Sequence, residues 1–411
     1  MEVQYPRCCG LDVHQKVVVA CRITPSAAGV PKKEVRSFGT MTEGLLALAE
    51  WLTAAQVSHV AMESTGSYWK PIWNLLEGNF ELLLVNAHHI KTVPGRKSDV
   101  RDCEWIADLL RHGLLKASFV PNRPQRELRE LTRYRTSLIH ERSAEVNRLQ
   151  KTLEGANSKL AAVASDVLGK SGRQMLQALV DGSSDVEAMA DLAIGQLRAK
   201  IPQLQRALTG RCGPHQRFLL AQQLAHIDYL DQTIAAVSEE VAERLRPFED
   251  LIARLDAIPG VGRMTAEVVL AEVGTDVKPF PTAGHLVSWA GMCPGQHESA
   301  GKQRSGKTRK GNKALASALV EAAHAAGHTK DTYLSAQYHR LLARRGRKRA
   351  AVAVGHTILV IIYHLLSRPG TLFEDLGAHF FTARDKEAAI RRHVRALEAA
   401  GYHVELNPKA A

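Results

Sequence analysis

The sequence predicts an α/β domain followed by an all-α remainder. Residues 7–120 alternate short apolar runs with amphipathic stretches, the pattern of a mixed sheet with helices on its faces. From residue 123 onward apolar residues recur every three or four positions, the helical period.

Arg7–Asp12 and Val17–Ile23 flank a turn at His14-Gln15 and predict a hairpin, and Glu34–Phe38 predicts a third strand. Thr42–Thr53 has helical spacing with Thr42 as its cap. Val57–Glu63 is read as a strand, Tyr68–Glu77 as a helix and Phe80–Asn86 as a strand. Ser98 then caps a helix from Asp99 to His112. Leu128, Leu131, Tyr134, Leu138, Val146, Leu149 and Leu153 form one long apolar stripe; Leu220, Leu224, Ile227, Leu230, Ile234, Val237, Val241 and Leu245 form another. They predict an antiparallel coiled-coil pair, with glycine and serine breaks and shorter helices across 155–213. Further helices are expected at Leu251–Ala257, Met264–Val273, His285–Ala290, Lys313–Ala326, Ala350–Leu366 and Asp385–Ala400, with a Gly/Ser/Lys-rich loop at Gly291–Asn312. The expected divisions are 1–122, 123–250, 251–370 and a helical tail, 371–411.

The chain has 411 residues, 45% hydrophobic and 23% charged, which argues against disorder, collagen and fibrous repeats. Aromatics are only 5%, too few for broad base-stacking platforms. The net charge is +12, and residues 301–350 alone carry 13 Lys/Arg against Glu321 and Asp331. Residues 1–122 are nearly balanced, with 13 basic and 12 acidic side chains. So concentrated a block predicts a polyanionic partner, nucleic acid first. A solvated charge run is the plainer alternative.

Six scattered cysteines without a C-x-x-C pair exclude a zinc ribbon and suit a reducing cytosol. The N-terminus lacks the apolar core of a signal peptide. Ala350–Leu366, interrupted by His356 and His364, is shorter than a membrane span and is read as a buried helix. The expected location is the bacterial cytoplasm, associated with the nucleoid, with no membrane partner.

Asp12 ends the first apolar run and Glu63 the fourth, while Asp99 and Asp102 stand at i and i+3 of a predicted helix. Strand ends and a helix start can meet at the rim of a sheet. Four carboxylates there repel one another unless a cation lies between them, and their hard oxygens suit Mg²⁺ or Mn²⁺. Two such ions can clamp the attacking and leaving oxygens of a phosphodiester. Each carboxylate alone has a bland reading: Asp12 as a strand end, Asp99 as a helix-stabilising charge.

Ile258-Pro259-Gly260-Val261-Gly262 followed by a helix has the form of a helix-hairpin-helix element. Gly260 and Gly262 would let a phosphate approach the new helix N-terminus. An ordinary glycine turn has the same letters. Farther on, Ser299 leads into Lys302, Arg304, Lys307, Arg309, Lys310 and Lys313. A serine beside such cations can attack a phosphodiester once its hydroxyl is activated. A loop serine is ordinarily only that, and chemistry alone does not choose Ser299 over Ser305. Arg344, Arg345, Arg347, Lys348 and Arg349 form a second cluster of candidate nucleic-acid contacts.

Together these segments resemble the transposases of insertion-sequence family one-ten, the bridge-RNA-guided DNA recombinases. The resemblance is carried by GLDVHQ, MESTGSY, KSDVRDCEWIADLL, IPGVGRMTAEVVLAEVG and WAGMCPGQHESAGKQRSGKTRKGNKAL, in that order. It covers about residues 7–120 and 251–330; the helices at 155–213 and the tail beyond 370 depart from it. It implies a RuvC/RNase H-like domain with Asp12, Glu63, Asp99 and Asp102 as an Mg²⁺-binding set. It implies Ser299 as the nucleophile of a covalent phosphoserine–DNA link, in a composite site across protomers of a dimer or tetramer. It also implies donor and target DNA as substrates, a non-coding guide RNA, and passage through a Holliday-junction-like intermediate. Two other classes compete: a metal-dependent nuclease or junction resolvase using water, and a non-enzymatic architectural protein.

Overall fold

The computed structural model describes residues 2–26, 29–64, 66–86, 102–295, 297–299 and 301–406, with backbone alone at 297–299, 302–305, 385, 387–389 and 392. The chain forms two compact units, Met1–Arg123 and Pro124–Ala411.

The first unit is built on a five-stranded sheet of order β3-β2-β1-β4-β5. Its strands are β1 (Cys8–Val13), β2 (Val17–Thr24), β3 (Lys32–Gly39), β4 (His59–Glu63) and β5 (Glu81–Val85). The first three are antiparallel, whereas β4 runs parallel to both β1 and β5. The expected hairpin is present: the His14 amide donates to the Val17 carbonyl at 3.0 Å. Period-two alternation sends Cys9, Leu11 and Val13 to one face, under α1 (Thr42–Ala54) and α2 (Trp69–Leu76). Cys8 goes to the other face, with Cys21, Ala61 and Val85, under α3 (Asp102–Arg111). Thr42 is not the cap of α1. The Met41 carbonyl already accepts from the Leu45 amide, so Met41 holds the N-cap position and Thr42 lies inside the first turn. The expected Ser98 cap and the helix start at Asp99 lie outside the described residues.

Gly10 explains how α3 reaches the sheet. A Cβ there would stand 2.3 Å from the Cys103 carbonyl oxygen and 2.4 Å from the Ala107 nitrogen. The helix backbone therefore rests on strand backbone, and the start of α3 is carried to the β1–β4 edge.

The second unit opens with two long helices, α4 (Arg123–Gly155) and, after four shorter ones, α9 (Pro214–Leu245). Arg244 pairs with Glu127 at 3.2 Å, Arg142 with Asp231, and His226 lies 3.6 Å from Glu145. Residue numbers rise on one helix as they fall on the other, so α4 and α9 lie antiparallel. The segment between them packs onto the end of the pair where α4 finishes and α9 begins. Helices α5 (Leu160–Val163), α6 (Lys170–Val180), α7 (Val186–Asp191) and α8 (Ile201–Leu208) share a core with Leu149, Leu153, Leu220, Leu224 and Ile227.

The remaining helices are α10 (Glu249–Asp256), α11 (Arg263–Val273), α12 (Ala283–Trp289), α13 (Lys313–His328), α14 (Tyr333–Arg345), α15 (Arg347–Ser367) and α16 (Phe380–Ala399). Helix α15 is long and apolar enough to cross a membrane. Here it is a core helix: Val354, Ile358, Leu359 and Ile362 are fully buried, and it packs on α10, α12, α13 and α14. The tail beyond residue 370 is tied down. Arg254 donates to the carbonyls of Leu365, Arg368 and Thr371, Asp375 accepts from the Tyr333 amide, and Phe381 stacks on Tyr333 at 5.0 Å.

Gly10→Ala should destabilise the protein by about 1–3 kcal/mol, the usual cost of overpacking. Urea denaturation checks this, with a lower midpoint and an unchanged slope as the expected result.

Candidate active site: a carboxylate rim and a basic hairpin

The carboxylates are placed by strand register. Leu11 and Met62 are the last residues that β1 and β4 pair with each other, and one step beyond them stand Asp12 and Glu63. By parity Asp12 shares the face of Cys8 and Gly10, and Glu63 shares that of Ala61, the face that α3 covers. Asp102 is the first residue of α3, and the following Cys103 is seated on Gly10. The Cys103 thiol is pushed up to about 11, by burial first and then by the Glu104 and Asp12 carboxylates, so the charge of Asp12 is felt at the start of α3.

Three of the four expected carboxylates are thus assigned to one rim of the first unit. Asp99 lies outside the described residues. Among the described residues no group of three His, Cys, Asp or Glu side chains is gathered closely enough to hold a metal ion. The rim supplies hard oxygen donors without a closed ligand sphere. A residue that sequence reading passed over stands beside it: His14 Nε2 lies 3.0 Å from Asp12 Oδ2. The i, i+2 spacing of Asp12 and His14 across the hairpin turn was the available signal.

In the second unit, the expected loop Gly291–Asn312 contains a hairpin. Ser299 ends β6 (His297–Ser299), which pairs antiparallel with β7 (Lys302–Ser305). Polar residues of low strand propensity form strands here because the base of the hairpin is fixed. Pro294 and Thr308 form a bridge, the Gly295 amide donates to the Lys307 carbonyl at 2.9 Å, and the Asn312 amide reaches the Trp289 carbonyl at 3.4 Å. Gly291 and Gly311 pass so closely that a Cβ on Gly311 would be 2.3 Å from the Gly291 nitrogen. Lys307, Arg309 and Lys310 are exposed just beyond this base, and Lys313 is exposed at the start of α13. Lys302 and Arg304 lie on β7, where backbone alone is described.

The base rests on an unusual concentration of buried charge. Glu272, fully buried near the end of α11, accepts two hydrogen bonds from Arg133, at 2.7 and 2.9 Å. Arg129 Nε lies 3.3 Å from the same carboxylate, and its guanidinium sits 5.8 Å from the Trp289 ring centroid. Burial lowers the Arg129 pKa to about 10, opposed by the Glu272 charge. Asn312 Nδ2 donates to Glu272 Oε2 at 2.6 Å. About one and a half helical turns away, Arg135 pairs with Glu267 at 2.7 Å, both side chains nearly sealed from solvent. These carboxylates look like solvated helix charges in sequence; their arginine partners lie 132 and 139 residues distant.

Gly260, at φ +86°, packs against the Ala322 carbonyl and Ala326 of α13, so packing accounts for it. Gly262 is the N-cap of α11 and would meet nothing within 4 Å on gaining a Cβ. The second basic cluster spans a helix break. Arg344 and Arg345 end α14, and Arg347, Lys348 and Arg349 begin α15, all exposed around Gly346.

Two family models, both of transposases, match this chain. Residues 9–158 match the DEDD transposase family model of IS110 elements, and residues 252–340 match the model of the transposase IS116/IS110/IS902 family. The chain belongs to the IS110 family of transposases. A probable family 20 transposase of Pseudomonas aeruginosa is 27% identical, over 75% of this chain and 84% of that one. The transposase for insertion sequence element IS1111A of Coxiella burnetii is 26% identical, over 78% and 80%. An uncharacterized 43.6 kDa protein of insertion element IS110 from Streptomyces coelicolor is 35% identical over 29% of each chain.

Glu267→Ala should cost about 3–5 kcal/mol, because it leaves Arg135 charged and buried without its carboxylate. Thermal unfolding measures it; a change under about 1 kcal/mol would contradict the pairing.

Proposed function

We propose that the protein recombines DNA through a phosphoserine intermediate, with the specificity supplied by a guide RNA. The observation that carries this reading is the ordered pair of family matches. The first spans Asp12, Glu63 and Asp102 at one sheet rim, and the second spans Ser299 on its anchored hairpin.

In this reading Ser299 Oγ attacks the scissile phosphorus. The Oγ–H proton is given up, an Oγ–P bond forms, and the displaced deoxyribose oxygen is protonated. Attack by a hydroxyl of the exchanging strand reverses the step and frees the serine, through a Holliday-junction-like intermediate. The phosphate gains negative charge in the transition state, and Lys302, Arg304, Lys307, Arg309, Lys310 and Lys313 are the cations beside it. Asp12, Glu63, Asp99 and Asp102 would hold Mg²⁺ or Mn²⁺, which supplies Lewis-acid polarisation of phosphate oxygens when bound. His14 orients the Asp12 carboxylate through their 3.0 Å contact.

Helices α4 and α9 form the coiled-coil dimerisation element, and catalytic groups are shared between protomers of a dimer or tetramer. Donor and target DNA and the guide RNA are held by their backbones, through Gly260, Gly262 and the two basic clusters. The cluster at α15 favours an anionic partner. Arg347, Lys348 and Arg349 occupy a helix N-terminus, where cations oppose the helix dipole. Phosphate contact would offset that cost.

With DNA bearing the element's ends and RNA from its non-coding flank, the wild type should leave a denaturation-resistant protein–DNA adduct. Ser299→Ala should abolish adduct and recombination alike while RNA binding survives. Asp12→Asn, Glu63→Gln, Asp99→Asn or Asp102→Asn should each lower the rate about a hundredfold or more. An active wild type that leaves no adduct would favour the water-using nuclease. Binding without any Mg²⁺-dependent chemistry would favour the architectural protein.

Replacing Lys307, Arg309 and Lys310 together by alanine should weaken binding evenly across sequences. The slope of log affinity against log salt should fall by about 2–3, at roughly 0.9 per phosphate contact on duplex DNA. An unchanged slope, read from titrations at several salt concentrations, would exclude direct contact.

A further inference from the structure

Asn312 has two duties that pull in different directions. Its Oδ1 accepts the Leu315 amide at 3.1 Å and caps α13, where the basic hairpin segment ends. Its Nδ2 donates to Glu272 Oε2 at 2.6 Å. The cap alone could be supplied by serine, threonine or aspartate. Only a side chain with both an acceptor and a donor serves both ends, and asparagine is the shortest amide that does.

Glu272 is the other half of the contact. It is fully buried, and Arg129 and Arg133 reach it from α4. Gln125 and Arg129 add hydrogen bonds to the Ala271 carbonyl at 3.2 and 3.1 Å. The first turns of α4 are thus fastened to the last turn of α11, and Asn312 joins that joint to the hairpin base. The adjoining backbone has little slack, because Gly291 and Gly311 are in contact and the Asn312 amide reaches the Trp289 carbonyl.

We infer that the Asn312–Glu272 hydrogen bond is a positioning contact: it transmits the setting of α4, and with it the α4–α9 pair, to the hairpin that carries Ser299. The inference rests on the phosphoserine reading. Movement of α4 along its axis shifts Arg129 and Arg133, these carry Glu272, and Glu272 carries the first residue beyond the hairpin. Neither Asn312 nor Glu272 touches the reacting phosphate in this scheme. Their effect is on where the serine stands once DNA is bound, and DNA affinity, set by the exposed cations, stays nearly independent of them.

Asn312→Asp separates the two duties. Aspartate caps α13 as well as asparagine but presents a carboxylate to Glu272. Asn312→Ser also keeps the cap, on a side chain too short to reach Glu272 and without added charge. Both should lower the rate of protein–DNA adduct formation about tenfold or more while leaving the DNA dissociation constant within about twofold.

The experiment uses the full-length protein with element-end DNA and flank-derived RNA, and reads adduct rate, DNA affinity and thermal stability together. Wild-type adduct rates in both single variants would overturn the proposal. So would rates that fall only in step with stability. If Asn312→Asp does not fold, Asn312→Ser and its ratio of adduct loss to affinity loss decide the matter. Ser299→Ala run alongside keeps the two readings apart: an adduct from that variant overturns the serine assignment, whereas its absence leaves Asn312 and Glu272 judged on their own results.

Discussion

A single buried carboxylate holds much of the second unit together. Glu272 has no solvent, yet it is met by Arg129, Arg133 and Asn312, which come from two separate parts of the chain. Burying an ion is expensive unless charge and hydrogen bonds replace its water. That penalty makes the arrangement exacting, because shifting any one partner leaves charge unsatisfied. The geometry of α4, α11 and α13 is therefore fixed by electrostatics more strictly than close-packed apolar contact alone would achieve.

The candidate residues of the two units are supported on opposite principles. In the first unit the candidate carboxylates stand near strand ends and at a helix start, and rigidity comes from backbone resting on backbone at Gly10. In the second the proposed serine stands on a short polar hairpin, and rigidity comes from what lies under its base. The charge distribution follows the same division. The sheet unit is nearly neutral, whereas the helical unit carries the excess of cations.

The sheet was legible because its strands alternate or run apolar between turns, and because Asp12 and Glu63 stop the runs in register. The long helices were legible from their stripes, and their antiparallel sense follows from the cross-pairs of Arg142 and Arg244. Three things were hidden, each for a physical reason. Helix α14 contains Gln337, His339, Arg340, Arg344 and Arg345 within a basic block, so its buried side, Leu334 and Tyr338, was masked by charge. The hairpin at 297–305 has lysine, glutamine, arginine and serine where a strand would show branched or aromatic residues. Glu267 and Glu272 lie in a helix whose pattern marks them as surface charges, because burial depends on arginines far away in sequence. Asp12 is marked as a candidate by its place near the end of an apolar run, whereas its neighbour His14 reads only as a turn residue.

Helix α15 would satisfy a membrane by length and composition, yet nine of its residues are sealed by neighbouring helices. All four of those neighbours, α10, α12, α13 and α14, precede it in the chain. Synthesis runs from the N-terminus, so all leave the ribosome first and can receive the greasiest segment as it emerges. The order of the elements thus acts as a built-in chaperone: the cover is made before the surface that needs it. A chain missing α13 would lack part of that protection during translation, whatever its final stability.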